Sequence, residues 1–389
     1  GNFVVDKITG KSYTGEGFNS AVGTRIVRID ANGIYDNLIT TGTTTWNEVW
    51  DMNYDCANGR FFGLGGSTGG NVSAGIINTI TGAITPQSFT GMAGSQQDIA
   101  SSTIDPQGNI FFVYATVAIA TLNNRLLRVN AAFTGNVWIA PTTYGTFSES
   151  DNKFYPGAAM PGQYSNGFNA LAASTSYLYY WDGINLAAFN KATGAKVGFL
   201  VVAGLTQKQQ GGIAVDACDN VYIGGNGNIL SYKFNGTTFT ALPSIALGVP
   251  NPNKYVTDIK YYEANNELYI SGSGFGGIYS AINSLTCTAS NCTVTTNCSG
   301  VASASVTTGI VSPIFSYSFT NSANAVVSSF INTTATTVAT PPLASGNYTL
   351  FVHINAPCGP IVTQTFNISG QVLLSPTAIS KCSGIGITS

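Results

Sequence analysis

Six times along residues 1–285 the chain repeats one pattern. An apolar strand runs into a polar turn, a second apolar strand follows, and a third ends in an apolar residue plus Asn or Asp. The first turns read VVDKITGKSY, MNYDCANGRFF, TIDPQGNIFF, ALAASTSYLYY, AVDACDNVYI and IKYYEANNELYI. The third strands end at Ile29-Asp30, Ile77-Asn78, Val129-Asn130, Phe189-Asn190, Phe234-Asn235 and Ile282-Asn283, so the Asn/Asp positions lie 48, 52, 60, 45 and 48 residues apart. That spacing is close to the length of one four-stranded propeller blade. A single such unit cannot bury its own apolar faces, whereas a ring of them can. The pattern predicts an all-β chain whose residues 1–285 form a six-bladed, or seven-bladed, β-propeller.

The fifth repeat shows the grammar most fully. Gly212–Asp216 reads as the inner strand, Val221–Gly224 as the second, Asn228–Phe234 as the third and Thr237–Ser244 as the outer one. Asn235-Gly236 between the last two is a tight-turn signal, because a type I′ turn requires positive φ at both central residues. The fourth repeat is spaced wide by an insertion, 142–167, rich in Gly, Pro, Ser and Tyr and expected as a surface loop.

Only 8% of the 389 residues are charged while 44% are hydrophobic. An average soluble protein has roughly 25% charged residues. Thr, Ser, Asn and Gly do the solubilising, which points to an extracellular β protein. The net charge is −2 with no basic block, so a nucleic-acid partner is not expected, since phosphate neutralisation needs clustered Lys or Arg. No apolar run reaches the ~18 residues that cross a bilayer. Without a basic-then-apolar start, the numbering reads as beginning at a mature or trimmed end.

Residues 286–297 read as a linker, 298–375 as a β-sandwich of immunoglobulin-like type, and 376–389 as the truncated start of a second copy. Cys298-Ser-Gly-Val301 recurs as Cys382-Ser-Gly-Ile385, 84 residues later. Ile314–Phe319 and Tyr348–Val352 alternate as half-buried strands do, and Leu343–Tyr348 is a turn that delivers a Tyr into a strand. Cys298 and Cys358 flank the segment and are the expected disulfide pair. Cys287 and Cys292 could close a short loop, and Cys382 is left over. Cys56 and Cys218, on opposite blades, are expected as unpaired thiols, because a disulfide needs Cα atoms within ~7 Å. The cysteine usage suits an oxidising compartment.

The sandwich segment resembles the repeats of the SprB-like cell-surface adhesins of gliding Bacteroidota. It does so through Cys298-Ser-Gly300, Pro313-Ile-Phe-Ser-Tyr-Ser-Phe319, Leu343-Ala-Ser-Gly-Asn-Tyr-Thr349 and Cys358-Gly359. The propeller is similar to NHL and related repeats through Gly212–Asp216 and Asn220–Ile223. The resemblance implies export by the type 9 secretion system, attachment at the outer membrane surface, and contact with the gliding or secretion machinery.

Chemistry-bearing residues are few. The lone His353 has no second histidine to form a triad or zinc site. Glu48, Asp51, Asp98 and Asp258 fall near the starts of inner strands, with Asn169 similarly placed in the fourth repeat. Converging on one mouth of the channel, these oxygens would suit Ca²⁺; no other cofactor is expected. Strand-start carboxylates also serve local backbone hydrogen bonding. Tyr144, Phe147, Phe154, Tyr155 and Tyr164, in the long insertion, are candidates for contacting a partner. The reading that follows is a cell-surface adhesin module without catalytic activity, binding a surface, a glycan or a protein. The alternatives are a secreted propeller lyase or glycosidase and a self-associating filament subunit.

Overall fold

The computed structural model describes residues 3–369 apart from 8, 16–24, 31, 41–47, 57, 67–72, 79–82, 88–96, 117–124, 131–135, 140–168, 182, 184, 206–210, 249–254, 264, 273–274, 282–289, 298, 311–312, 356–357 and 360. Every regular element among them is a β-strand. The chain divides into two compact units, Gly1–Ser284 and Leu285–Ser389.

The first unit is a propeller built of consecutive antiparallel sheets, each in chain order. They comprise β1 (Phe3–Val5), β2 (Ser12–Gly15), β3 (Arg25–Ile29) and β4 (Tyr35–Thr40), then β5 (Glu48–Asp55), β6 (Arg60–Gly66), β7 (Ser73–Ile77) and β8 (Ile84–Gln87). Next come β9 (Gln97–Ile104), β10 (Ile110–Thr116), β11 (Arg125–Val129) and β12 (Asn136–Ile139), followed by β13 (Leu171–Ala173), β14 (Tyr177–Trp181), β15 (Asn185–Asn190) and β16 (Lys196–Val201). The series continues with β17 (Ile213–Val215), β18 (Asn220–Gly224), β19 (Asn228–Phe234) and β20 (Phe239–Ala246), and ends with β21 (Val256–Tyr262), β22 (Glu267–Gly272) and β23 (Phe275–Ser280). The first strands stand side by side in cyclic order: β1 beside β5, then β9, β13, β17 and β21, which returns to β1.

The repeated first turn has a physical cause. Asp105 Oδ1 accepts the amides of Gln107 and Asn109 at 2.9 and 2.8 Å, and its Oδ2 accepts Asn109 Nδ2 at 2.7 Å. Asp216 does the same with Cys218 N, Asn220 N and Asn220 Nδ2. A carboxylate four residues before an Asn thus closes the turn from within. The turn at Asn235-Gly236 works differently from expectation. Gly236 takes a φ of +100°, while Asn235 Oδ1 accepts the amides of Thr237 and Thr238 in a longer loop.

Cores lie between sheets, as a repeat that cannot bury its own faces requires. Phe111 and Leu126 pack with Leu171, Leu178 and Phe189, while Tyr179, Trp181 and Leu186 meet Ile213, Val221 and Phe234. Phe3 and Val5 pack on Tyr262 and Tyr269, joining the first sheet to the last. Full burial of side chains this large stabilises by roughly 1.5–3 kcal/mol each.

In the second unit, β24 (Asn291–Thr296), β25 (Ala302–Thr307) and β28 (Thr337–Ala339) form one sheet. The other has the order β27 (Val326–Thr333), β26 (Phe315–Asn321), β29 (Gly346–Ile354), β30 (Ile361–Ile368). Ala302, Ala304, Val306, Phe315, Tyr317, Phe319, Leu350 and Val352 are buried in alternation along these strands. The expected linker is corrected here: its residues 291–296 are β24, paired along their whole length with β25. Ser299 and Gly300 belong to the turn between those strands, where Asn297 Oδ1 accepts the amides of Ser299 and Val301 at 3.0 Å.

Two cysteine expectations are also corrected. Cys56 and Cys218 are disulfide-bonded, not thiols. Cys292 does not close a loop with Cys287: it is a free, buried thiol, because β24 turns it inward at a position paired with Val306. Cys358 is disulfide-bonded; Cys287, its expected partner Cys298, and Cys382 lie outside the described residues.

Candidate functional site

Strand alternation puts residues i and i+2 on one face. Asp258 and Lys260 of β21 are such a pair, and so are Asp51 and Asn53 of β5. Because these are first strands, their polar faces converge on the hub. Lys260 Nζ lies 3.3 Å from Asp258 Oδ1 and 3.8 Å from Asp51 Oδ1, so one ammonium bridges carboxylates from two sheets. All three side chains are nearly or fully buried, Asp258 completely.

Neighbouring sheets hold the cluster in place. Asp51 Oδ2 accepts Ser102 N at 2.6 Å and Ser102 Oγ at 2.9 Å, and Asn53 Nδ2 donates to that hydroxyl at 2.7 Å. Asp258 Oδ2 accepts the amide of Phe3 at 3.2 Å, which ties β21 to β1. Asn169 N donates to the Thr257 carbonyl at 3.2 Å, and Gly212 N donates to Asn169 O at 2.8 Å. Ser101 Oγ accepts Ala170 N at 3.1 Å.

Two atoms of the cluster are left over. Asp258 Oδ1 and Lys260 Nζ are buried and make no hydrogen bond, only the ionic contacts with each other and, for Lys260, with Asp51. Burial pushes the Asp258 carboxyl above the usual carboxylate range, and the Asp51 charge adds to this. Lys260, the Phe3 amide and the Asn169 side chain pull the other way. A carboxyl biased toward its protonated form beside an ammonium and a second carboxylate is an arrangement able to give and take a proton.

Among the expected site residues, Asp51 and Asp258 are thus brought together, with Asn169 beside them. Glu48 and Asp98 fall on β5 and β9, but their side chains lie outside what the structure describes, as do all of Tyr144, Phe147, Phe154, Tyr155 and Tyr164. Among the described residues no group of three or more His, Cys, Asp or Glu could hold a metal ion. Between Asp51 and Asp258 the cation is Lys260. Sequence reasoning missed Lys260, Ser102 and Asn53. The i, i+2 spacing of Asp258 and Lys260 was the available signal. His353, on β29, has its Nε2 at 3.0 Å from the Gly359 carbonyl.

No protein-family model matches the chain, and neither does any curated protein. Solved structures similar to it include a gluconolactonase from Xanthomonas campestris (13% identity, 71% of this chain and 84% of that one, TM-score 0.47). A luciferin-regenerating enzyme (12%, 72% and 91%, 0.48) and a calcium-binding protein, regucalcin, from Agrobacterium tumefaciens (14%, 69% and 80%, 0.45) are similar as well. Against the expectation of a chain without catalytic activity, two of these three structures are named as enzymes. That expectation rested on scarce histidines, whereas the buried cluster of the hub is built from Asp51, Lys260 and Asp258.

Proposed function

We propose that this chain is an extracellular, surface-attached protein whose six-bladed propeller acts on a polysaccharide at the hub, as a lyase or glycosidase, and is carried on an immunoglobulin-like sandwich. One observation carries the reading. Asp258 Oδ1 and Lys260 Nζ form a buried ion pair at 3.3 Å in the hub, with Asp51 Oδ1 3.8 Å from the same ammonium, and neither atom makes a hydrogen bond besides. Acid–base groups held together in this way are candidates for a functional site. In this reading Asp258 supplies or removes the proton and Lys260 neutralises developing negative charge.

The test is product formation on a panel of neutral and uronate-containing polysaccharides, read as reducing ends and as unsaturated-product absorbance. Wild type is expected to turn one of them over, with Asp258→Asn lowering the rate by about a hundredfold or more in protein that circular dichroism shows to be still folded. A panel that gives no product, or an Asp258→Asn variant as fast as wild type, contradicts the reading.

The second reading is an adhesin module of the SprB-like type, gripping a glycan, a protein or another surface while attached to gliding or secretion machinery in the outer membrane. It is favoured by the way the quoted motif elements contact one another. The Leu343 amide meets the Gly300 carbonyl, and Tyr348 Oη donates to the Ala344 carbonyl at 2.9 Å. Binding to one polysaccharide of the panel without turnover supports this second reading over the first.

A further inference from the structure

An exposed strand edge offers unpaired amides and carbonyls to other chains, and proteins guard such edges with charge or proline. Four outer strands of the propeller do so, with Asp36 on β4, Pro86 on β8, Lys196 on β16 and Pro243 on β20, while the shorter β12 and β23 do not. The second unit does not. Residues 285–389 contain a single charged residue, Lys381. Its edge strand β27 has one neighbour, β26, and carries neither charge nor proline over eight residues. The opposite edge, β30, is flanked by β24 of the facing sheet.

β27 is also the most apolar exposed strand described. Val326 is 61%, Val327 38% and Ile331 74% exposed. Their exposure is built into the register. Thr320 pairs with Val326 and Phe319 with Ser328, leaving Val327 as an extra residue. At the other end Tyr317 pairs with Phe330 and Phe315 with Thr333, so Ile331 and Asn332 together oppose Ser316. Asn332 takes a φ of +53°, and its amide donates to Ser316 Oγ. Bulges re-aim side chains, and here each leaves an apolar one in solvent, placed symmetrically two residues either side of Ser329.

We propose that β27 is a self-association surface, on which a second copy of this chain docks antiparallel about Ser329. That symmetry sets Val327 of each copy against Ile331 of the other, with Val326 flanking. The occupant is a second copy for two reasons. A neutral strip has nothing for a charged partner to complement. An antiparallel copy matches apolar to apolar twice, with no like charges at any register.

Sedimentation of the whole chain from low to high micromolar concentration tests this. Wild type is expected to dimerise. Ile331→Lys should weaken association by about tenfold or more without changing the melting temperature, because the side chain stands in solvent. The double variant Val327→Glu with Ile331→Lys should restore association, since position 327 of one copy then faces 331 of the other with opposite charge. A wild type that stays monomeric throughout, a dimer indifferent to Ile331→Lys, or a double variant as weak as the single one overturns the proposal.

Discussion

The carbonyl of Gly300 accepts the amide of Leu343 at 2.9 Å, and a Cβ at position 300 would stand 2.4 Å from the carbonyl oxygen of Leu343. Two motif elements far apart in sequence, Cys298-Ser-Gly300 and Leu343–Thr349, are therefore one contact. Gly300 has a φ of +77°, so only glycine meets both the conformation and the close approach.

Gly300→Ala should accordingly destabilise the sandwich by about 2–4 kcal/mol, from left-handed strain together with the backbone collision. Denaturant unfolding followed by the fluorescence of the second unit's tyrosines reads this out. An unchanged midpoint would mean that the Gly300–Leu343 approach does not set the fold there.

The hub cluster predicts an exchange of cations. Lys260→Met removes the ammonium and leaves Asp51 and Asp258 facing each other, at a cost of about 3–5 kcal/mol for breaking a buried pair. Ca²⁺ should then raise the melting temperature of the variant more than that of wild type, because it finds two hard-oxygen ligands without a competing lysine. Equal calcium shifts in the two proteins would contradict the bridging role of Lys260.

Acid should favour the propeller over one pH range. Asp216, Asp219 and Asp258 all have carboxyls raised above the ordinary 3.8, chiefly by burial. Hydrogen bonds oppose the rise: Tyr222 Oη to Asp216 at 3.0 Å and Tyr179 Oη to Asp219 at 2.8 Å. A folded carboxyl with a raised pKa binds its proton more tightly than the unfolded one. Its contribution is thus complete below the unfolded value and is lost as pH rises through the folded one. Melting temperature should climb as pH falls from neutral toward about 4. A steady decline over that interval would count against the three buried carboxyls.

Cys292 is a reporter for the second unit. It is 1% exposed and free, and burial raises its thiol pKa. A thiol reagent should leave it unmodified in the native protein and label it at the rate of unfolding of the second unit. Rapid labelling under native conditions would place Cys292 at the surface instead.

Much of the fold was legible because its cause is local. The Asp-x-x-x-Asn turn closes on itself, and period-two burial follows from alternation along each strand, so the repeated sheet showed at residues such as Asp105 and Asp216. What could not be read arises between strands. The Lys260 bridge to Asp51 and the Ser102 hydroxyl on Asp51 join residues of different sheets, with no sequence periodicity linking them. The start of the sandwich was misplaced because the Cys-Ser-Gly motif looks like an opening, but its Ser299 and Gly300 lie in the turn after a first strand. In β24 the alternation is carried by Cys292 and Val294 among Thr and Asn, a faint signal.

The account stands or falls at the hub. Its most direct test is a crystal structure of the wild-type chain with an oligosaccharide from the polysaccharide it recognises. The prediction is a sugar within hydrogen-bond reach of both Asp258 Oδ1 and Lys260 Nζ, atoms that otherwise have no such partner. A sugar seated elsewhere on the propeller, with those two atoms still facing only each other, would contradict it.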